Sequence, residues 1–546
     1  YDGLQGKMTV WHTVPAETLW FQTETLASSV QGLDLDLYVG LDTNNDGRAQ
    51  ESEELCSSTS PTEIEFCDLF TPVAGDYWVI VQNWRATNNP DKVTLKTAVV
   101  GKDTLSRLTA TGSGIVDAGA SQKIRVSWDN VGARPDTELI GAVGIGTHRE
   151  SPNNVGIIPV TFNKTAVADP ETLVLMSGIS RGITVKGGGM HNLAFIDIPP
   201  GADSLTVTAS GIDAEQSEDL EIELYRMSFD DAFANAPFVV EPNMSSNPIA
   251  SGKGGSGSGP TVTVSGSSLT PGRWYPVVRN HRSFHSAVEI RADVNSSGSA
   301  IPLHAGLWEV DSRSGGGSIG QGYDYASTGG FRALLWYTYD EDGNSDWYLG
   351  AAAEPEGNVW VAQVDRYTND GLLQHATPVG HVSVTAIAED DHIFSFVLHG
   401  RNGSDRMKAI SPQICPTINN SEKSYTGLWS RTAIGVGGAS GLVNGTSQAF
   451  IHFIYDDDGN PRWLLTSPSP QSPTATEMPM LQFKGFCAVC DETAIPEPET
   501  VGVFSREFTD ENLMTWTLDY VFNPPLSGSV KRTDEAEKLT LRLDCL

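Results

Sequence analysis

One short segment combines oxygen-bearing side chains at a spacing that suits a metal ion. Residues 42–53, DTNNDGRAQESE, follow the pattern D-x-[DN]-x-[DN]-G, with a glutamate after five further residues. Calcium takes about six to eight oxygen ligands, and this spacing arranges such oxygens around a glycine turn. We therefore predict a calcium loop whose ligands are the side chains of Asp42, Asn44 and Asp46, the carbonyl of Arg48, Gln50 through water, and bidentate Glu53.

The alternative for this loop is an acidic Asn/Gly turn that holds no metal. The residues before it, LDLYVGL, have the composition of a strand, so the loop would lie in a β domain. A related segment later in the chain has SFDDAFANAPF at this place and lacks the ligand spacing. Only the first copy is expected to bind calcium.

The six cysteines include two close pairs, Cys56 with Cys67 and Cys487 with Cys490. We predict a disulfide in each pair and a third between Cys415 and Cys545, as in an exported chain. Cys487 and Cys490 also have the C-x-x-C spacing of redox and zinc sites. Neither a βαβ pattern nor a second such pair accompanies them, so a local disulfide is favoured.

Aromatic residues are concentrated in the C-terminal half. Such rings could stack on sugars or peptides, and the candidates for this role are Trp308, Trp347, Trp429 and Trp463. The alternative is the aromatic core of a small β-fold, because strand alternation places about half of these rings inward.

No hydrolase motif is found. The chain has neither G-x-S-x-G nor H-E-x-x-H, and His281 and His285 lie in a segment typical of a loop leading into a strand. Residues 445–449, GTSQA, are similar to the serine segment of subtilisin-like proteases. Alignment with an internal repeat places them opposite GGFRA (329–333), so Ser447 is predicted at the start of a strand. We therefore expect no catalytic residue in this chain.

The elements that must position these residues are strands. Apolar and β-branched runs alternate with Gly, Pro, Asn and Asp clusters, which predicts an all-β chain of several β-sandwich or jelly-roll-like domains in tandem.

The formal net charge of −33 makes nucleic acid and anionic membrane surfaces poor partners. No apolar run is long enough to span a membrane, and the first residues lack a signal-peptide pattern, so we expect a mature segment without an anchor.

Two families of internal repeats divide the chain. LDLDLY (33–38) matches LEIELY (220–225), and TPVAGDYWVIVQN (71–83) matches TPGRWYPVVRN (270–280). Because apolar residues alternate with carboxylates in LDLDLY and LEIELY, we expect one face of each strand to enter a core and the other to be solvated. In the second family, LLWYTYDEDGNSDWYL (334–349) matches FIHFIYDDDGNPRWLL (450–465), with hairpin turns at Gly343 and Gly459. The expected domains are 1–100, a small β module at 101–167, 168–294, 301–415 and 416–546.

The first repeat resembles the bacterial pre-peptidase C-terminal domain, through DLDLYV, the acidic loop and the GDYWV segment. Residues 101–167, with VSWDN and GAVGIGT, resemble the fibronectin-type-III-like module found beside it in subtilisin-like serine proteases. The C-terminal units resemble G-L-W repeats of exported proteins from Gram-negative bacteria. The resemblance implies the non-catalytic tail of a secreted subtilisin-like protease, with a catalytic domain, a protein or a polysaccharide surface as partner. The alternative is a free-standing adhesin or polysaccharide-binding protein.

Overall fold

The structure is a computed structural model. It describes residues 5–26, 33–86, 91–102, 107–129, 132–148, 150–167, 169–234, 240–255, 257–298, 300–303, 306–310, 322–327 (backbone only), 330–410, 414–431, 437–466, 472–488, 490 and 498–539. These residues are almost entirely β-strand, which confirms the predicted fold class. They divide into two compact units, Tyr1–Leu105 with Asp136–Thr165, and Ser106–Pro135 with Ala166–Leu546. Within this part of the chain no helix has the length and apolar character needed to cross a membrane.

The first unit begins with a β-sandwich. One sheet has the order β1-β6-β3-β4 and the other β5-β2-β7. Its strands, with one 3-10 turn at Glu51–Glu53, are β1 (Lys7–Val14), β2 (Trp20–Leu26), β3 (Asp34–Leu41), β4 (Glu54–Ser58), β5 (Phe66–Phe70), β6 (Gly75–Arg85) and β7 (Thr94–Val100).

Alternation in β3 sends one face into the sandwich core, as predicted. Leu33, Leu35 and Leu37 are at most 2% exposed. The opposite face was expected to be solvated, but Asp34 and Asp36 are also mostly buried. β3 lies between β6 and β4, Arg85 is 3.9 Å from Asp34, and the Tyr38 hydroxyl donates to Asp36 at 3.2 Å. Burial is also the main cause of the raised pKa of Asp36.

The segment 101–167 was expected to form one small β module. It forms instead two separate two-stranded sheets, β8 (Leu108–Thr111) with β9 (Arg125–Trp128), and β10 (Thr137–Ile145) with β11 (Gly156–Lys164). The first pair belongs to the second compact unit and the second pair to the first. Two-stranded ribbons are too small to hold a core of their own, so each packs on a larger neighbour.

A second sandwich follows in the second unit. One sheet has the order β12-β15-β20-β17-β18, with β14 also on β20, and the other β13-β21-β16-β19. The elements are β12 (Leu173–Val174), β13 (Ser180–Val185), β14 (Met190–His191), β15 (Ala194–Ile198), β16 (Ser204–Gly211), α1 (Ala214–Ser217), β17 (Leu220–Met227), α2 (Phe229–Phe233), β18 (Ala250–Lys253), β19 (Thr261–Ser265), a 3-10 turn at Gly266–Ser268, β20 (Gly272–Asn280) and β21 (Ser286–Asn295).

The two sandwiches share one pairing scheme. β3 pairs with β6 as β17 pairs with β20, and the three-strand order β5-β2-β7 recurs as β19-β16-β21. The strand carrying the repeated Leu/Ile alternation therefore lies in the same place in both copies. Leu220, Ile222 and Leu224 are fully buried, in agreement with the sequence prediction.

Each C-terminal repeat forms a closed eight-stranded barrel. The first barrel is β22 (Gly306–Val310), β23 (Gly322–Ser327), β24 (Phe331–Tyr339), β25 (Ser345–Ala353), β26 (Val359–Asn369), β27 (Gln374–Ala388), β28 (Asp391–Leu398) and β29 (Arg401–Ala409). After a hairpin of β30 (Thr417–Ile418) and β31 (Ser421–Glu422), the second is β32 (Gly427–Arg431), β33 (Gly438–Val443), β34 (Gln448–Tyr455), β35 (Pro461–Thr466), β36 (Glu477–Gln482), β37 (Glu499–Phe508), β38 (Leu513–Val521) and β39 (Ser529–Lys538).

The barrels close through their first and last strands. Trp308 on β22 lies opposite Ala409 on β29, and Trp429 on β32 lies opposite Lys538 on β39. The predicted hairpin turns occur in both repeats, with positive φ at Gly343 and Gly459. Because every strand finds two neighbours, closure leaves no free sheet edge in either barrel.

Candidate functional site

The acidic loop joins β3 to β4 in the first sandwich. The Asp46 and Gly47 amides donate to the Asp42 carboxylate at 3.1 and 2.9 Å, and the Arg48 amide donates to Asp46 Oδ1 at 2.9 Å. Gly47 has a φ of +69°, a conformation that side-chain-bearing residues rarely adopt. The residues predicted as ligands therefore form a tight turn, in which the carboxylates of Asp42 and Asp46 accept hydrogen bonds from backbone amides of the same loop.

Glu53 closes this loop. Its Oε1 accepts from the Thr43 amide at 2.9 Å and from the Thr43 hydroxyl at 3.1 Å. Its Oε2 lies 3.4 Å from the indole nitrogen of buried Trp78. Glu53 and Asp42 are only 5% and 7% exposed. The last predicted ligand is thus brought beside the first by the fold.

The donor set of the loop fits calcium by its chemistry, since every predicted ligand atom is an oxygen. The Asp46 carboxylate also accepts from Gln50 Nε2 at 2.7 Å, so the predicted ligand at position 50 lies over the same turn. In the described residues, however, no three His, Cys, Asp or Glu side chains converge as a metal-binding group. The loop carboxylates are instead satisfied by amide hydrogens.

A disulfide anchors the strand that follows the loop. Cys56 on β4 is bonded to Cys67 on β5, with Cα atoms 6.0 Å apart, as the sequence predicted. β4 and β5 belong to different sheets, so the bond joins the two layers of the sandwich.

The second sandwich has a different structure at the corresponding place. There the segment SFDDAFANAPF begins with α2, and Ser228 caps this short helix by accepting from the Asp231 amide at 3.1 Å. Asp230 is 2.7 Å from Arg406. These acidic residues are thus engaged in a cap and an ion pair rather than in a loop.

The predicted local disulfide between Cys487 and Cys490 is also formed. Both sulfurs are therefore engaged with each other, which disfavours a zinc or dithiol role in this state. Cys415 is disulfide-bonded as well, and its expected partner Cys545 lies outside the described residues.

The serine and histidine candidates take structural positions. Ser447 lies directly before β34, at a strand start as predicted, and its hydroxyl donates to Asn444 Oδ1 at 3.0 Å. His281 and His285 lie between β20 and β21, as expected for a loop leading into a strand. His281 Nε2 is 2.8 Å from Glu221, and His285 Nδ1 accepts from the Gly187 amide.

The four tryptophans considered as stacking platforms are all interior. Trp308 and Trp429 are 0% exposed, and Trp347 and Trp463 are 4% and 1% exposed. None can present a ring face to a sugar, so the basis for a polysaccharide site on these residues is lost. The aromatic-core interpretation accounts for them, because Trp308 and Trp429 belong to the cores of the two barrels.

Trp347 and Trp463 belong to a further aromatic core, which sequence reasoning missed. We call it the inter-barrel seam; its principal members are Tyr337, Tyr339, Trp347, Ile451, Phe453 and Trp463. These residues occupy the outward faces of the repeated hairpins, one from each barrel. Trp347 Nε1 donates to the Ile454 carbonyl at 3.2 Å, and Trp463 Nε1 donates to the Thr338 carbonyl at 2.7 Å. The signal in the sequence was the recurrence of aromatic residues at outward positions in both copies of the hairpin, 334–349 and 450–465.

A polar network borders the seam. Arg366 Nε donates to Asp346 at 3.2 Å, and Arg462 donates to Asp456 at 2.8 Å and to Asp340 at 3.2 Å. All of these groups except Asp456 line a pocket of about 180 Å³. Burial, with the nearby charge of Asp346, raises the pKa of Asp340. Since each of these guanidinium groups already has a carboxylate partner in the network, we interpret the network as structural.

The hairpin aspartates act in turn formation. Asp340 Oδ1 accepts from the Asn344 amide at 2.9 Å, and Asp456 Oδ1 accepts from the Asn460 amide at 2.8 Å.

Comparisons with known proteins place the chain in no characterised group: no family model matches it, and no curated protein is significantly similar to it.

Proposed function

We propose that this chain is a non-catalytic, multidomain β region of a secreted subtilisin-like serine protease, serving stability, secretion or docking to a surface or substrate. The observation that carries the proposal is the repeated architecture. One sandwich topology occurs twice, and one barrel topology then occurs twice. The segments whose sequences resemble accessory modules follow each other in the same order along the chain. Duplicated modules present the same kind of surface twice, which suits docking. Catalysis needs a single set of convergent groups.

The engagement of potential catalytic side chains supports this proposal. The Ser447 hydroxyl donates to an amide oxygen of Asn444, which cannot act as a general base. His392 and His452 are fully enclosed in the two barrels, and burial lowers the pKa of each to about 3. A histidine with so low a pKa is a poor base near neutral pH.

Calcium is the metal component of the proposal. Asp42, Asp46 and Glu53 bring formal negative charge into one turn, where a bound cation would offset their mutual repulsion. The disulfide at Cys56 and Cys67 supports an oxidising, extracellular setting. Together they would make the first sandwich a rigid, protease-resistant module.

The test uses the whole chain. Incubation with casein and with a fluorophosphonate serine probe should give neither cleavage nor labelling, while active subtilisin serves as the positive control. Ser447→Ala and, as a matched control, the exposed turn residue Ser472→Ala should both behave as the wild type. Specific labelling that is lost in Ser447→Ala and retained in Ser472→Ala would show that the chain carries its own nucleophile.

A further inference from the structure

Three loops of the second compact unit meet at one place. They join β8 to β9, β26 to β27 and β34 to β35. The Ile115 amide donates to the Asp458 carbonyl at 2.9 Å, and the Asn369 amide donates to the Gly459 carbonyl at 2.9 Å. A Cβ atom on Gly459 would lie 1.9 Å from the Asn369 carbonyl oxygen and 3.2 Å from Gly114 Cα, so the three backbones are in contact. We call this surface the three-loop tip; it comprises residues 114–117, 369–375 and 456–459.

The tip presents large apolar side chains to water. Leu372 is 83% exposed and Leu373 64%, and Ile115 and Val116 are 37% and 44% exposed. Leu372 is the most exposed large hydrophobic residue in the described part of the chain. The two loops adjoin, because a Cβ atom on Gly371 would lie 3.9 Å from Ile115 Cδ1. Neighbouring apolar side chains exposed in this way mark an interaction site rather than a scattered surface residue.

The leucine pair is held in a fixed conformation. One oxygen of Asp370 accepts from the Leu372 amide at 2.8 Å and from the Leu373 amide at 2.7 Å. The Asn369 side chain accepts from the Gly371 amide at 2.6 Å. Since both leucine side chains lie mostly outside the packed interior, the fold does not require leucine at these positions. A loop that is already ordered loses little conformational entropy when a partner binds.

A pocket lies beside the leucine pair. Gly371 and Leu372 form part of its wall together with Ile454, Tyr455 and Val530, and its volume is about 350 Å³. Apolar or aromatic anchors that enter such pockets supply most of the energy of protein interfaces. The tip therefore offers protruding apolar side chains and an adjoining recess, which is the form of a docking site.

Exposed carboxylates surround these apolar residues. Asp117 follows Val116 in the first loop, and Asp457 and Asp458 lie in the third. All three are exposed, and none of them forms an ion pair within the described ranges. They give the rim of the tip a negative charge.

The neighbouring cations already face carboxylates; the pairs are His375 with Asp370, Arg462 with Asp456, and Lys123 with Asp342. Two further cations line the pocket, Arg431 and Arg532, and they lie 3.7 and 2.9 Å from Asp534. This last group has one positive charge more than its carboxylate balances. It offsets one of the three exposed carboxylates of the rim, so negative charge remains in excess.

We propose that the three-loop tip docks a segment of a partner protein in which large apolar side chains are flanked by lysine or arginine. An apolar anchor of the partner enters the pocket beside Leu372, while its basic groups face Asp117 and Asp458. A second copy of this chain would bring like charges together, and the same carboxylates repel anionic lipid. The proposal rests on the docking role in the proposed function and deepens it by naming the chemistry of the partner.

Fluorescence anisotropy with the full chain and three labelled peptides tests the chemistry. The probes are an amphipathic leucine–lysine peptide, its serine–lysine counterpart of equal charge, and its leucine–glutamate counterpart. We expect saturable binding of the leucine–lysine peptide, binding at least about tenfold weaker for the serine–lysine peptide, and no binding of the glutamate peptide. Equal binding of the two lysine peptides would show only general attraction to an acidic chain and would overturn the proposal, as would equal binding of the glutamate peptide.

Apolar variants locate the site. Leu372→Ser/Leu373→Ser should weaken binding of the leucine–lysine peptide by at least about tenfold. Val73→Ser/Val155→Ser removes two apolar side chains that are 69% and 63% exposed elsewhere, and it should change the affinity less than about twofold. Wild-type affinity in the leucine variant, or equal losses in the two variants, would place binding elsewhere and contradict the proposal.

Charge variants test the rim. Asp117→Asn/Asp458→Asn should weaken binding of the same peptide by about threefold or more, because two facing carboxylates are neutralised. Glu171→Gln/Glu356→Gln changes the net charge equally at exposed positions outside the tip and should keep the wild-type affinity. Equal effects of the two double variants would mean that the whole acidic surface, and not the rim, attracts the peptide.

Other occupants of the tip are tested directly. Flotation with phosphatidylcholine vesicles and sedimentation equilibrium should show neither lipid binding nor self-association. Vesicle binding or dimer formation that is lost in Leu372→Ser/Leu373→Ser would assign the tip to lipid or to a second copy and overturn the proposal. Labelling by the serine probe is measured separately, so failure of docking and failure of the non-catalytic assignment are distinguishable.

Discussion

Trp347 and Trp463 occupy corresponding positions in the two barrel repeats, and each donates its indole N–H to a backbone carbonyl of the other barrel. The acceptors, Ile454 and Thr338, are themselves corresponding residues. The seam is therefore the intrachain equivalent of a twofold-symmetric dimer interface. Sequence repetition and spatial symmetry have the same origin here, because one hairpin face packs against its own copy.

Replacing Trp463 by Phe should destabilise the barrel pair. The change removes the 2.7 Å bond and leaves the Thr338 carbonyl buried without its donor, at a cost of about 1–3 kcal/mol. Urea unfolding followed by circular dichroism measures the loss. Trp84→Phe, at a ring that is 66% exposed, is the matched control and should be close to neutral. Equal effects of the two substitutions would mean that the bond across the seam contributes nothing to stability.

Calcium should raise the melting temperature of the first sandwich. If the ion binds only the folded state, free calcium at one hundred times Kd contributes about 2.7 kcal/mol. In calorimetry, the melting temperature of the wild type should be higher with calcium than with chelator, whereas Asp46→Ala should show no difference between the two conditions. Asp117→Ala, at an exposed carboxylate outside the loop, should respond like the wild type. Superimposable wild-type profiles with calcium and chelator would identify the loop as an acidic turn only.

Stability should decline as the pH falls below 6.5. The pKa of His392 and of His452 is lowered from 6.5 to about 3, chiefly by burial. The unfolded chain therefore takes up protons between pH 6.5 and 3 that the folded chain does not. The contribution of the two neutral histidines to the free energy of unfolding is complete above pH 6.5. As the pH decreases from 6.5 toward 3, the free energy of unfolding decreases by about 1.4 kcal/mol per pH unit for each histidine.

Urea unfolding at several pH values tests this dependence. His392→Leu should make the decline of unfolding free energy between pH 6.5 and 4 less steep than in the wild type, because one proton uptake is removed. Exposed His148→Gln serves as the control and should keep the wild-type slope. A His392→Leu slope equal to that of the wild type would show that this histidine is not the source of the acid sensitivity.

The two described disulfides should differ in their contribution to stability. Cys56 and Cys67 are separated by 11 positions, and Cys487 and Cys490 by 3. The chain-entropy relation gives about 3 kcal/mol for the longer loop and about 2 kcal/mol for the shorter one. Melting curves of the paired variants Cys56→Ala/Cys67→Ala and Cys487→Ala/Cys490→Ala measure both. A larger loss for the 487–490 pair would contradict the entropic account.

The sequence by itself determined the all-β class, the repeated Leu/Ile face of the sandwiches, two disulfides and the hairpin turns at Gly343 and Gly459. Alternation, cysteine spacing and turn residues act over a few positions, so they can be interpreted locally. The ligand spacing of residues 42–53 likewise predicted a turn in which Asp42 and Glu53 come together.

Only the tertiary structure decided what covers the second face of each strand. Alternation states that Tyr337 and Trp347 lie opposite the barrel core, but not that another barrel will bury them, since that depends on residues more than a hundred positions away. Closure into barrels and the division of 101–167 between two units also depend on distant pairings.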